Sequence, residues 1–209
     1  MYPHARVSEI LGMFRDYSSI NQDVLQEKCA IGDETHQNIY LDSQDIPPSF
    51  DYFPVRDFKK KPELPIKSWE RRGKPYFESY LLWKETNKPE YLIQEKRMFC
   101  DDLMITGQFD AVIKGTDKPV LIDYKCSATA DEEIWGMQAH FYYYLLQQNG
   151  IEIDDTFFWL KLNVKKEGDL TIAKKPTVIE IKYSDEVMQK CIDAAVLYWE
   201  LKSDARCVA

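Results

Sequence analysis

Residues 103–125 read LMITGQFDAVIKGTDKPVLIDYK, and the fold turns on how this stretch is paired. Two apolar-rich runs, 103–113 and 120–125, flank Gly115-Thr116-Asp117, residue types that favour a tight turn. The pattern predicts a β-hairpin. A turn centred on Thr116-Asp117 sets Asp110 directly opposite Asp123. Opposed residues share a sheet face, and so do residues two apart on one strand. Asp110, Asp123 and Lys125 therefore converge on one patch, with Tyr124 pointing away. The run Val120-Leu121-Ile122 is wholly apolar and reads as an internal strand, so the charges that follow fall at its buried end. The convergence depends on register, because a slip of one residue would send Asp123 to the opposite face.

Working outward, 91–99 reads as another strand, separated from 103–113 by the turn residues Asp101-Asp102. Downstream, 131–148 reads as a helix stopped by Asn149-Gly150. Strands at 156–163 and 177–183 follow, then a helix capped by Ser184 and running to about 202. Upstream, helices are expected at 7–14 and at 22–41, the second capped by Asn21, with Gly32 as a point of bending. Pro47, Pro48 and Pro54 make 45–61 an irregular connection. A further aromatic-rich helix is expected at 67–85, with Gly73 and Pro75 marking a break and Asn87-Lys88-Pro89 its end. Its aromatics Trp69, Tyr76, Phe77, Tyr80 and Trp83 stand at helical spacing and read as core before they read as base-stacking groups. The order is helices, then β-β-β-α-β-β-α. It predicts an α/β (α+β) protein with a central mixed sheet flanked by helices. The expected organisation is one domain over 1–209, with a helical part at 1–89 and a sheet core at 90–209.

Composition bounds the chemistry. The 209 residues are 44% hydrophobic and 30% charged, enough to bury a core without staples. A net charge of −8 speaks against a nonspecific basic coat for nucleic acid, although carboxylates that hold cations contribute to that charge. The basic runs Lys59-Lys60-Lys61, Arg71-Arg72 with Lys74, Lys165-Lys166 and Lys174-Lys175 read equally as phosphate contacts or as solvated faces. Five dispersed cysteines form no CxxC pair, which argues against a zinc ribbon and suits reduced thiols in the cytoplasm. No apolar run spans a bilayer, so no membrane partner is expected.

Two carboxylates and an ammonium on one patch suit phosphodiester hydrolysis. Aspartates hold Mg²⁺ or Mn²⁺ through oxygen and leave positions for water and phosphate. Lys125, two residues beyond Asp123, then serves the water or the transition state. A bare D-x-K pattern is common, and the upstream Gly107-x-x-Asp110 at hairpin distance is what gives it weight.

With Gly107-Gln108-Phe109-Asp110, Ile122-Asp123-Tyr124-Lys125 and Gln138-Ala139-His140-Phe141-Tyr142 in view, the chain resembles the PD-(D/E)XK nuclease superfamily. Within it, it is similar to the RecB-like exonuclease branch, which includes recombination, CRISPR-associated and phage nucleases. The resemblance spans roughly residues 29–146. It implies that Asp110 and Asp123 are metal ligands, that Lys125 is catalytic, and that Gln138 and Tyr142, one helical turn apart, support the site or contact DNA. It also implies that His36, in Gly32-Asp33-Glu34-Thr35-His36, is a further ligand. Glu95 reads equally as another ligand or as an exposed strand charge. Phe109 stands where the superfamily's name has proline, and Ile31 where relatives often carry arginine. The cysteines do not match the four-cysteine iron–sulfur pattern of some relatives, so no cluster is expected. His140 matches nothing in the pattern and reads as a helix-face residue. The expected partner is single- or double-stranded DNA, handled in repair, recombination or phage DNA processing. A second copy of the chain or a subunit of a recombination complex fits the branch as a further partner. The competing reading is a noncatalytic DNA-binding or assembly module with a nuclease-like fold, against which the intact Asp110, Asp123 and Lys125 weigh.

Overall fold

The computed structural model of the protein describes residues 4–16, 18, 20–50, 73–168 and 170–207. Lys59-Lys60-Lys61, Trp69 and Arg71-Arg72 lie outside the described residues, as do most of the expected connection at 45–61 and the first part of the helix expected at 67–85.

The elements are β1 (Ala5–Arg6), α1 (Val7–Gly12), α2 (Gln22–Ser43), α3 (Lys74–Asn87), β2 (Tyr91–Gln94), β3 (Arg97–Cys100) and β4 (Ile105–Gln108). They continue with β5 (Ala111–Ile113), β6 (Val120–Lys125), α4 (Glu132–Gln148), β7 (Thr156–Glu167), β8 (Leu170–Lys182) and α5 (Asp185–Cys207). Local chemistry places the helix ends. Asn21 opens α2 by accepting the Asp23 N–H, and Asp131 opens α4 by accepting that of Ile134. Pro75 sits in the first turn of α3, where its missing N–H costs nothing. Lys88 closes α3 in the left-handed region, at φ 44°. Gly32 does not bend α2, which continues unbroken to Ser43. A glycine there costs about 1 kcal/mol against alanine, and the buried Ala30, Ile31 and Thr35 beside it hold the helix regardless.

A five-stranded sheet in the order β2-β5-β6-β7-β8 forms the centre. β6 and β7 are parallel and joined through α4, while the other neighbours are antiparallel, so the sheet is mixed as expected. Between β5 and β6 the register pairs Ala111 with Ile122, Val112 with Leu121 and Ile113 with Val120. One step further, it sets Asp110 opposite Asp123. Val112, Leu121, Phe157 and Trp159 pack beneath α1, α4 and α5. Ala111, Ile122, Tyr124, Leu160 and Leu162 face α2 and α3, where Phe77, Tyr80 and Trp83 are core.

Three further expectations need correction. The runs 91–99 and 103–113 are not single strands. The first breaks at Glu95, whose φ is 47°, and the second at Phe109-Asp110, so that β3 and β4 leave the central sheet and form a second one in the order β1-β4-β3. The two breaks meet, with the Glu95 N–H donating to Asp110 O at 2.9 Å. Alternation of period two is the same in either sheet, so the pattern carries no sign of the transfer. Next, β7 and β8 outrun the strands expected at 156–163 and 177–183, pairing from Thr156–Lys182 out to Glu167–Leu170 around Gly168. This ribbon shifts register between Lys161 and Asn163. There the Ser79 hydroxyl of α3 donates to Lys174 O at 2.6 Å and accepts the Asn163 N–H at 3.0 Å. Finally, α5 extends to Cys207 rather than 202. None of the helices among the described residues is long and apolar enough to cross a membrane.

Candidate active site

At the C-terminal end of β6 the buried carboxyls of Asp110 and Asp123 meet Lys125. Asp110 is clamped from two sides. Its Oδ2 accepts the Tyr124 N–H at 2.7 Å, and its Oδ1 lies 3.0 Å from His36 Nδ1. Two residues 74 positions apart are thus in contact, because α2 crosses the end of the sheet where β5 begins. Glu95, at the break between β2 and β3, completes a set with His36 and Asp110 in which one donor atom of each lies within 4.8 Å of the others.

Asp123 takes a different partner. Its Oδ2 is buried and forms an ion pair with Lys125 but makes no hydrogen bond of good geometry. Lys125 Nζ also donates to Gln138 Oε1 at 2.7 Å and lies 5.6 Å from the centre of the Trp159 ring. Gln138 Nε2 donates to Tyr142 Oη at 3.0 Å, so the lysine, amide and phenol form one chain along α4. The Tyr142 ring packs edge-on against Phe109.

The electrostatics follow from this packing. Burial alone would lower the His36 pKa, but the carboxylates of Asp110, Asp123 and Glu95 raise it to about 9. Burial works to raise Asp110, yet His36, Lys125 and the Tyr124 N–H hold it below the usual carboxylate range. Asp123 goes the other way, raised by burial and by Asp110, with Lys125 and His36 offsetting only part. Glu95 is raised by burial and Asp110, against the opposing effects of Gln108 and His36. Three carboxyl groups, Asp110, Asp123 and Glu95, are thus crowded around two cationic groups, His36 and Lys125.

This donor set fits a divalent cation. His36, Glu95 and Asp110 offer one nitrogen and carboxylate oxygens within mutual reach, and Asp123 adds a buried oxygen lacking a hydrogen bond. The structure thus brings together His36, Glu95 and Asp110, and separately joins Asp123, Lys125, Gln138 and Tyr142 in a second chain. His140 does not enter the site. Its ring nitrogens bond Gly136 O at 2.7 Å and the Ser184 N–H at 2.9 Å, beneath α5.

Two residues went unassigned in the sequence. Gln108 donates to Glu95 Oε2 at 2.7 Å and accepts from Arg97 at 3.0 Å, fixing the Glu95 carboxylate. Gly107 has a steric role: a Cβ there would stand 2.8 Å from Leu145 Cδ1 and 2.9 Å from Tyr142 Cε1. Both belong to the quoted Gly107-x-x-Asp110 stretch, but only the packing of α4 reveals what they do.

A paired aspartate and lysine at a strand end thus stand beside a carboxylate–histidine cluster with the donor atoms to hold a metal ion. The family model of the PD-(D/E)XK nuclease superfamily matches residues 29–200, and the chain belongs to that superfamily. No curated protein matches it. Among solved structures, it is similar to a phage-related exonuclease from Haemophilus somnus 129PT, with 13% identity, 98% of this chain and 97% of that one covered, and a TM-score of 0.46. It is also similar to the alkaline exonuclease LHK-Exo from Laribacter hongkongensis in complex with dAMP, with 11% identity, coverage of 99% and 95%, and a TM-score of 0.40.

Proposed function

We propose that the protein is a divalent-metal-dependent DNA nuclease that cuts phosphodiester bonds from a strand end. The observation that carries this is the meeting of the Asp123–Lys125 pair with the His36, Glu95 and Asp110 cluster in a chain of this superfamily. His36, Glu95, Asp110 and Asp123 would hold Mg²⁺ or Mn²⁺. A cation held by them would supply acidification of a water and positive charge to offset the phosphate.

The remaining chemistry belongs to the side chains. An ammonium has three N–H donors. Lys125 directs one to Gln138 and stands in an ion pair with Asp123, which leaves donor capacity for a phosphate oxygen or the attacking water. Gln138, held by Tyr142, stops the lysine from swinging away and so positions it. The Tyr124 N–H keeps Asp110 aligned with the strand that carries Asp123. The buried surroundings of both aspartates strengthen these interactions relative to water. Action from a strand end is supported by the likeness of Gln138, Tyr142 and His36 to the exonuclease branch. Repair, recombination or phage DNA processing is the expected setting.

The test is cleavage of end-labelled linear single- and double-stranded DNA in Mg²⁺, Mn²⁺ or EDTA, with wild type beside Asp123→Asn and Lys125→Ala. Metal-dependent shortening from one end is expected, lowered on the order of 10²-fold or more in each variant. Wild-type protein that leaves DNA intact in both metals overturns the reading.

A further inference from the structure

The geometry points to the β7–β8 ribbon as a track for the phosphate backbone of a DNA strand, through a lysine row that continues from Lys125 along one face. This rests on the nuclease reading for the identity of the partner. The row itself comes from register. β6 and β7 are parallel, with Lys125 paired to Lys161 and Asp123 to Trp159, so Lys161 shares the face of the site. Along β7 the same face then carries Asn163 and Lys165. The shift in register takes two steps on β7 and three on β8, so the extra residue lies in β8 and the alternation of β7 is preserved. Across the strands Lys174 pairs with Asn163, which puts it on this face too, while Lys166 pairs with Thr171 on the opposite one.

Lys125, Lys161, Lys165 and Lys174 thus form a single-sided row, with Lys165 and Lys174 exposed. Lys161 bonds Asn163 Oδ1 at 3.1 Å, and Asn163 also donates to Thr177 Oγ1 at 2.9 Å, which ties the root of the row together. The one acid on this face among the described residues of the ribbon is Glu167 near the tip, an ion-pair partner of Lys165. In a chain of net charge −8, such a row is set apart from the average surface. At about 3.3 Å per residue, Lys161 to Glu167 extends roughly 20 Å. Over that length a DNA strand presents several phosphates. A polyanion with regular spacing is the occupant this charge pattern complements. The row starts at the lysine of the proposed chemistry, so a strand lying on it leads to or from the site.

The test is fluorescence anisotropy with a labelled 30-nucleotide single-stranded DNA in EDTA across a salt series, followed by cleavage of the same strand in Mn²⁺. Lys165→Ala/Lys174→Ala leaves the backbone bond to Ser79 intact, and circular dichroism melting checks its fold. Each phosphate contact contributes about 0.7 to the slope of log K against log salt on single strands. The double variant is therefore expected to bind about tenfold more weakly at moderate salt, with the slope reduced by about 1.4. Lys166→Ala, on the other face, is expected to stay within twofold of wild type. Wild-type affinity and slope in the double variant overturn the track, as does an equal loss in Lys166→Ala or a wild type that does not bind the strand. Ribbon-dependent binding without cleavage in Mn²⁺ leaves the track standing and overturns the nuclease reading. Cleavage with ribbon-independent binding does the reverse.

Discussion

Asp110 Oδ2 accepts the backbone N–H of Tyr124 at 2.7 Å, so the strand that presents Asp123 and Lys125 also holds the aspartate facing them. Tyr124 is anchored in turn from the opposite side of the sheet. Its hydroxyl bonds Tyr91 Oη at 3.0 Å, and Tyr91 bonds Tyr80 Oη at 2.9 Å. Tyr80 donates to Asp42, which also takes Lys84. Site geometry is thus tied to the packing of α2 and α3 on the far face.

Cation binding should appear as stability before it appears as catalysis. A ligand at a hundredfold excess over its Kd stabilises by about 2.7 kcal/mol. For a chain of this size that raises Tm by roughly 5–10 °C. Wild type with Mn²⁺ is expected to show such a rise in differential scanning fluorimetry. Comparing each protein with and without Mn²⁺, the rise should vanish in Asp110→Ala and shrink in His36→Ala. An undiminished rise in Asp110→Ala would place the ion elsewhere.

Gly107→Ala inserts a methyl against Tyr142 and Leu145, both buried. Overpacking of this kind costs about 1–3 kcal/mol. Urea denaturation should give an unfolding free energy lowered by that amount, seen as a lower midpoint with m unchanged. A variant as stable as wild type would mean that α4 yields at no cost.

Gln138→Ala removes the group that holds Lys125. If Gln138 acts as a positioning residue, kcat should fall roughly tenfold while KM and Tm stay near wild type. Gln138→Asn, one methylene shorter, should recover little. Tyr142→Phe should lose less than Gln138→Ala, because it removes only the bond at the far end of the chain, worth about 1 kcal/mol. A rise in KM at constant kcat would instead make Gln138 a DNA contact.

His140 should make stability fall in mild acid. Burial lowers its pKa in the folded protein, where Nδ1–H donates to Gly136 O and Nε2 accepts the Ser184 N–H. Tyr183 and Phe157 pack on its ring, and Tyr143 borders both of them. As pH drops below the ordinary histidine value of about 6.5, the unfolded chain takes up a proton that the folded chain refuses. The contribution present above pH 6.5 is therefore lost as pH falls toward the lower folded pKa, at no more than about 1.4 kcal/mol per pH unit. His140→Gln does not titrate, so its stability difference between pH 7.5 and 5.5 should be smaller than that of wild type. Equal differences would remove His140 as the cause.

Much of the site was legible in sequence because its signals are local. The turn at Gly115-Thr116-Asp117 set the hairpin register, which pairs Ala111 with Ile122 as that turn requires, and the Asp110 carboxylate accepts the Tyr124 N–H just beyond it. The caps at Asn21 and Asp131 and the stop at Asn149-Gly150 are chemistry of a few neighbouring residues. The outer β7–β8 ribbon escaped notice for a matching reason. Beyond Asn163 it buries little, so its strands lack the apolar alternation by which strands are recognised.

The sequence by itself determined the mixed class, the main helices, and the pairing that joins two aspartates and a lysine, since each follows from periodicity and turn chemistry within a short span. Only the tertiary structure decided that Glu95 and Asp110 stand at the crossing between two sheets, that His36 reaches Asp110 across 74 residues, and that Gln108 and Gly107 serve Glu95 and Tyr142. Those contacts arise when α2 and α4 pack against the sheet, and packing between distant segments leaves no periodic trace along the chain.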